Sequence, residues 1–473
     1  MSKANAHLET GRIQSPAEAK RHTADGAGGY KQELNRTLTF KDLLIYGMVF
    51  MVPVAPMSVY GLVSQQSFGM VPLVYLVGII AMVFTALSYS RMSKEFPVAG
   101  SVYSYVQRGL NAHVGFVSGW MILVDYILAP ALLYAFSGMW MNMIFPSVPT
   151  FIWVLLFVSF NTLVNARGVT LAARTNFILL GIEILALLVF IGFGIKFVFV
   201  DGLGVGGFSL APLYQPEHLN LGFIATATSI AVLSFLGFDG ISTLAEETKN
   251  PQRTVGRATV AALVILGLIF MVETYIAALI HPQYKGLNPD MGFFDIAREA
   301  GGPVLYYSLI IVNVVAAGIA NALAAQSAIS RILYSMSRDK LLPFSGFLGK
   351  IHPKYQTPFN ATLFVGAISI IVSLTLSIET IIKFVNFGAL TSFMVLNLTV
   401  FVYFFLKKKE RGIQAVIKYI VLPLLGFIII AYVWSGFDKM TFIAGFSWMA
   451  LGIIVGAIKS KGYKEVPAVL KDM

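Results

Sequence analysis

Ser234-Phe235-Leu236-Gly237-Phe238-Asp239-Gly240 places a carboxylate between two glycines in the middle of an apolar segment of membrane-crossing length. In hydrocarbon every unpaired backbone group and every charge is costly. A helix weakened by glycine and carrying an acid is therefore tolerated where it lines a cavity. The stretch reads as one half of a binding site, and the other half has to come from elsewhere in the chain.

The setting is a membrane. The chain is 57% hydrophobic and 12% charged, with a mean hydropathy of +0.77, whereas soluble domains carry about 25% charged residues. Twelve apolar windows, each near the roughly 20 residues that span a bilayer, follow one another with short polar joints. They predict an all-α polytopic membrane protein with 12 transmembrane helices. The absence of cysteine removes disulfides, thiolate nucleophiles and sulfur-ligated metals. His7, His22, His113, His218, His281 and His352 fall in tails or near helix ends, so a histidine metal cluster inside the bilayer is excluded and no cofactor is expected.

The net charge of +11 has a topological cause rather than a nucleic-acid partner. With the N-terminus inside, only Lys196, Lys285, Arg298, Lys383 and Lys439 of the 34 lysines and arginines fall outside. This bias predicts a multi-pass protein of the cell membrane with both termini cytoplasmic. Residues 1–36 mix both charge signs, contain Gly26-Ala27-Gly28-Gly29 and lack an apolar core of signal-peptide length. They read as a disordered cytoplasmic tail.

A second interruption lies in the first span, over about 41–65, where Met51-Val52-Pro53 and Pro56 break the helical pattern. The Gly237 segment is the sixth, five spans later. Matching breaks in two five-helix halves point to a midplane site of the kind found in inverted-repeat transporters.

Three further stretches carry a resemblance. Pro97-Val98-Ala99-Gly100-Ser101-Val102-Tyr103-Ser104-Tyr105 precedes the third span. Gly237-Phe238-Asp239 is followed by Ala245-Glu246-Glu247-Thr248-Lys249-Asn250-Pro251, and Ser330-Arg331-Ile332-Leu333-Tyr334-Ser335-Met336-Ser337-Arg338-Asp339 by Thr357-Pro358. In this order and spacing they resemble the signatures of the amino acid, polyamine and organocation (APC) permeases. The resemblance implies a leucine-transporter-like fold, a 5+5 inverted repeat with helices 1 and 6 unwound. It divides the chain into a first five-helix repeat over 37–200, a second over 201–406, and two added helices with a C-tail over 407–473. Many members have Gly-Ser-Gly in the first break, where this chain has Met51-Val52-Pro53. Proline has no amide hydrogen, which argues against a cradle for an amino-acid carboxylate. Within the family the first-helix proline and Leu123-Val124-Asp125-Tyr126 with Ala129-Pro130 are most similar to the putrescine-importer branch.

Four acids, Asp125, Glu183, Asp239 and Glu273, sit in apolar centres that hold no lysine or arginine away from a span end. Such an interior needs protons or an organic cation. The expected activity is secondary, proton-linked import of a cationic amine such as putrescine, with a neutral or basic amino acid permease or exchanger as the alternative and a non-transporting nutrient receptor as a distant one. Asp125 and Asp239 are expected to bind ammonium groups, with Ser234, Phe235, Gly237 and Phe238 around them and Met51, Val52 and Pro53 opposite. Phe235 and Phe238 would offer ring faces to the cation. Glu183 stands where several similar permeases have a lysine, and either carries a coupling proton or attracts the substrate. Tyr103, near the cytoplasmic end of the third span, is expected to belong to the inner gate. Neither a channel filter nor a nucleophile with its base is visible, so no enzyme is expected.

Overall fold

The computed structural model describes residues 36–98, 101–168, 173–338, 342, 344–355 and 357–462. The expected tail over 1–35, Ala99 and Gly100 of the first motif, Asp339 of the third and the C-tail from 463 lie outside the described residues. Apart from one isolated bridge between Leu38 and Thr248, the regular structure described is helical.

In chain order the helices are α1 (Phe40–Met51), α2 (Pro56–Gln66), α3 (Val71–Glu95), α4 (Ser101–Gly109), α5 (Ala112–Ile144), α6 (Thr150–Ala166), α7 (Ala173–Ile195), α8 (Leu221–Ala231), α9 (Pro251–Ile280), α10 (Gly292–Asn313), α11 (Ala322–Arg338), α12 (Phe359–Thr375), α13 (Ile378–Val400), α14 (Leu422–Trp434) and α15 (Lys439–Lys459). Their starts follow from local chemistry. Thr39 and Asp42 form a reciprocal capping box before α1, and the side chains of Asn111, Asn220, Ser377 and Asp438 accept hydrogen bonds from the first-turn amides of α5, α8, α13 and α15. Pro56, Pro72 and Pro251 stand in the first turn, where a missing amide hydrogen costs nothing.

Among the described residues nine helical segments are long and apolar enough to cross a membrane, and ten when α1 and α2, bent by 53°, count as one broken span. α6 and α12 are apolar but shorter. The spans ending in α14 and α15 are the least buried. Gly302, at φ 72°, and Pro303 kink α10, so that its first turns form a separate outer piece holding Phe293 and Phe294 in the core.

The two broken spans lie against each other along their lengths. α1 packs on the tight helical turns Phe238–Glu247 that end the sixth segment, and α2 packs on α8. The fit at the first pair is close, since a Cβ on Gly47 would meet Ile241. The backbone just before α1 bonds to the end of the same segment, Thr37 N–H to Glu247 O at 2.9 Å and Lys249 N–H to Leu38 O at 2.8 Å. Both breaks therefore fall at one level of the bundle.

Candidate functional site

α1 ends at Met51, and the chain turns through Val52 to Ala55 before α2 begins. Val52 has φ 59° and ψ 106°, a conformation a β-branched residue rarely adopts. In the sixth segment the helix tightens over Val232–Phe235, Leu236 is extended and Gly237 sits at φ 107°. A side chain on Gly237 would be strained at that φ, and its Cβ would fall 3.0 Å from the Phe50 carbonyl oxygen. Glycine is required here because the two breaks touch.

Beside this junction lies a cavity of about 100 Å³. One water needs roughly 10–15 Å³ on the same measure, so the space suits a small organic solute. Its walls come from both breaks, from α5, from the helix running through α10 and α11, and from Val385 of α13. Met51, Val52, Asp125, Ser234, Gly237 and Asp239 of the expected site all line it. Pro53 is buried behind the first break and is not part of the wall.

The structure corrects the expectation for the two phenylalanines. Phe235 is fully buried against Tyr75 and Phe270, and Phe238 against Tyr89 and Phe393. Neither ring reaches the cavity, because the tight turns around Gly237 direct both into the packing between helices. The rings that do line it are Phe50, Tyr126, Phe136 and Trp140. Two of these follow from Asp125 by helical spacing: Asp125, Ala129, Leu132, Phe136 and Trp140 form one stripe of α5, a signal present in the sequence. Asn313 and Asn321 combine two roles, lining the cavity while donating to Leu309 O and Phe50 O. Asn386 and Asn397 instead bond across helices, to Ser229 O at 2.7 Å and Thr85 Oγ1 at 3.0 Å.

The two aspartates are held differently. Asp239 Oδ2 accepts hydrogen bonds from Tyr126 at 3.0 Å and Ser101 at 3.1 Å, and Tyr89 lies 3.1 Å from the Ser101 hydroxyl. Asp125 is 8% exposed, faces the cavity and has no hydrogen-bond or ion-pair partner among the described residues. No lysine, arginine or histidine stands among the described lining residues. A buried site with two carboxylates and no base is electrostatically incomplete until a cation or protons enter.

Glu183 does not line the cavity. It is buried on the inward stripe of α7 with Leu180, Leu187 and Phe190, and its Oε2 has no partner. Tyr103, half-buried on α4, packs over Gly119 of α5 and lies away from the cavity wall. Gly115 likewise meets Gln107 of α4, so both glycines of that pair serve close helix packing. Among the described residues no cluster of His, Cys, Asp and Glu has metal-holding geometry.

A broken helix pair closing on an acid-lined cavity, within a bundle of apolar spans, is the architecture of a multi-pass membrane permease. Residues 57–459 match the amino acid permease family, and the chain belongs to that family, within the APC superfamily. It is a transporter, not an enzyme. It is 32% identical over 436 residues to the low-affinity putrescine importer PlaP of Escherichia coli K12, covering 92% of this chain and 95% of that protein. It is 23% identical to the branched-chain amino acid permease BcaP of Bacillus subtilis, over 92% and 95% of the two chains. Human cationic amino acid transporter 4 is 26% identical, over 79% of this chain and 60% of its own length.

Proposed function

We propose that the protein is a secondary active importer of a cationic amine, a diamine of the putrescine type, driven by protons. The observation that carries this reading is the Asp125 carboxylate, buried at the cavity wall with no protein partner. An ammonium group completes it, and Asp239, across the same cavity, takes the second ammonium. Phe136, Trp140 and Phe50 flank the aliphatic chain between them.

An amino acid would also need donors for its carboxylate, and the first break has few. The Val52 amide is bonded to Met48 O, the Ala55 amide to Val52 O, and Pro53 has none. This favours the amine over the amino acid permease or exchanger. Asp125→Asn is expected to weaken amine binding about 30-fold or more, the effect of about 2 kcal/mol or more from removing one partner of a buried charge pair. Uptake of labelled putrescine in proteoliposomes, with neutral and basic amino acids as competitors, measures it. Wild-type uptake by the variant would remove the assignment, and competition by neutral amino acids alone would favour the permease reading.

In the same proposal the ten spans and the two shorter helices supply twelve crossings in the cell membrane, arranged as two inverted repeats over 37–200 and 201–406. Both termini are cytoplasmic, Tyr103 belongs to the inner gate and Glu183 is a proton-carrying acid. The coincidence of the two breaks supports the repeat. The burial of Glu183 without a base supports its role.

A further inference from the structure

Glu273 lies in the C-terminal third of α9, fully buried, and neither carboxylate oxygen has a hydrogen-bond partner. It is not part of the cavity wall. An ionised carboxylate there would forgo several kcal/mol of hydration with no counter-charge in return. A structural role would be served better by leucine or methionine of similar volume.

The surroundings of Glu273 are specific. On α3, which packs against α9, the Tyr75 ring lies 5.8 Å from that of Phe270, one turn before Glu273. Tyr60 of α2 stands beside Tyr75. Other titratable groups on the elements packed against α9 include Tyr46 of α1, Glu183 of α7, Asp295 and Arg298 of α10, and Asp239, and none of them is hydrogen-bonded or ion-paired to Glu273. Tyr75, itself fully buried, has its hydroxyl 2.8 Å from the Ser234 hydroxyl, and either can donate. Ser234 lines the cavity, on the tightened turn directly before the sixth-segment break. Cavity, Ser234, Tyr75 and Glu273 thus follow one another from the substrate space into the core.

We infer that Glu273 is a protonation site of the transport cycle, connected to the substrate cavity through the hydroxyls of Ser234 and Tyr75. A proton delivered by a hydronium ion in the cavity is taken up by Ser234 Oγ, which passes its own to the Tyr75 hydroxyl, which passes its own to the Glu273 carboxylate through an intervening water. One O–H bond is broken at the hydronium ion and one is formed at Glu273, with both hydroxyls and the intervening water restored. Because Ser234 moves with the break, substrate-driven rearrangement there makes or interrupts the path. The inference rests on the transport reading and adds to it a proton site separate from Glu183.

The test uses wild type, Glu273→Gln and Tyr75→Phe in proteoliposomes with labelled putrescine as probe, comparing counterflow at equal pH with accumulation driven by an inward proton gradient. A positioned proton carrier contributes at least about a hundredfold to the step it serves. Glu273→Gln is therefore expected to cut gradient-driven accumulation about tenfold or more and flatten its pH profile, with counterflow within about twofold of wild type. Tyr75→Phe keeps the ring against Phe235 and Phe270 and is expected to slow gradient-driven uptake alone, so it carries the contrast if the glutamine variant fails to insert. Wild-type accumulation by both variants, or equal loss of counterflow and accumulation, overturns the inference. Wild-type counterflow without any response to the gradient overturns it while leaving amine transport standing. Absence of wild-type counterflow for any amine overturns the transport reading and the inference with it.

Discussion

Asp125 and Asp239 bring the same functional group to one cavity, and their neighbours separate their roles. Tyr126 and Ser101 hold Asp239 in a fixed position against the sixth-segment break. Asp125 has no such restraint and is free to meet a ligand. Backbone strain marks the same place. Val52 at φ 59° carries strain of order 1–3 kcal/mol, which persists only where surrounding structure enforces it, and Gly237 at φ 107° lies at the same junction, in a backbone that glycine adopts freely. Gly237→Ala is expected to cost at least about 1–2 kcal/mol from the left-handed backbone alone, with further cost from the Phe50 carbonyl, and to abolish uptake. Gly240→Ala meets only the Phe50 ring, which can shift, and is expected to cost less. Thermal unfolding of the two variants in detergent ranks them, and a Gly240→Ala variant less stable than Gly237→Ala would contradict the account.

At the level of elements, the breaks work because the half-helices are paired: α1 with Phe238–Glu247, and α2 with α8. A break in a lone helix would expose its amides and carbonyls to lipid, whereas here each interrupted backbone faces the other and a cavity that carries two carboxylates. Elsewhere the elements are joined by clasps outside the site. Asp438 caps α15, accepting from the Thr441 amide at 2.9 Å, and also pairs with Lys383 of α13, which bonds Glu379 at 2.7 Å. Partial burial pushes the Asp438 carboxyl up, but hydrogen bonds from Lys383 and Thr441 and the lysine charge outweigh it and hold it below 3.8. A carboxyl lowered in the folded state contributes stability that is complete above its ordinary value and is lost as pH falls through the lower folded one. Asp438→Ala is therefore expected to cost about 1 kcal/mol at neutral pH, chiefly the cap, and less once the pH falls below the lowered folded value, where the carboxyl is protonated. Unfolding midpoints of variant and wild type at the two pH values should diverge and then converge; a constant gap would place the cost elsewhere.

For the molecule as a whole, charge distribution and packing make separate statements that one experiment can join. The cysteine-free chain permits single-cysteine labelling without background. Lys285→Cys, in the exposed connection before α10, is expected to react with an impermeant maleimide on intact cells, and Arg253→Cys, exposed at the start of α9, only in inside-out vesicles. The reverse pattern would invert the orientation.

Membrane class, the two breaks and the acids at the cavity were all legible in the residues, because proline, glycine and carboxylates are expensive in hydrocarbon and mark the places where a chain departs from a plain lipid-facing helix. The destinations of Phe235 and Phe238, the clasp of Tyr126 and Ser101 on Asp239, and the link from Glu273 through Tyr75 to Ser234 were not. In a bilayer the lipid-facing and core-facing sides of a helix are both apolar, so periodicity does not say which way a ring or hydroxyl points. Only the packing of α3, α5, α9 and the sixth segment against one another selects those directions, and with them which buried carboxylate is clasped, which is open to a cation, and which lies behind a pair of hydroxyls.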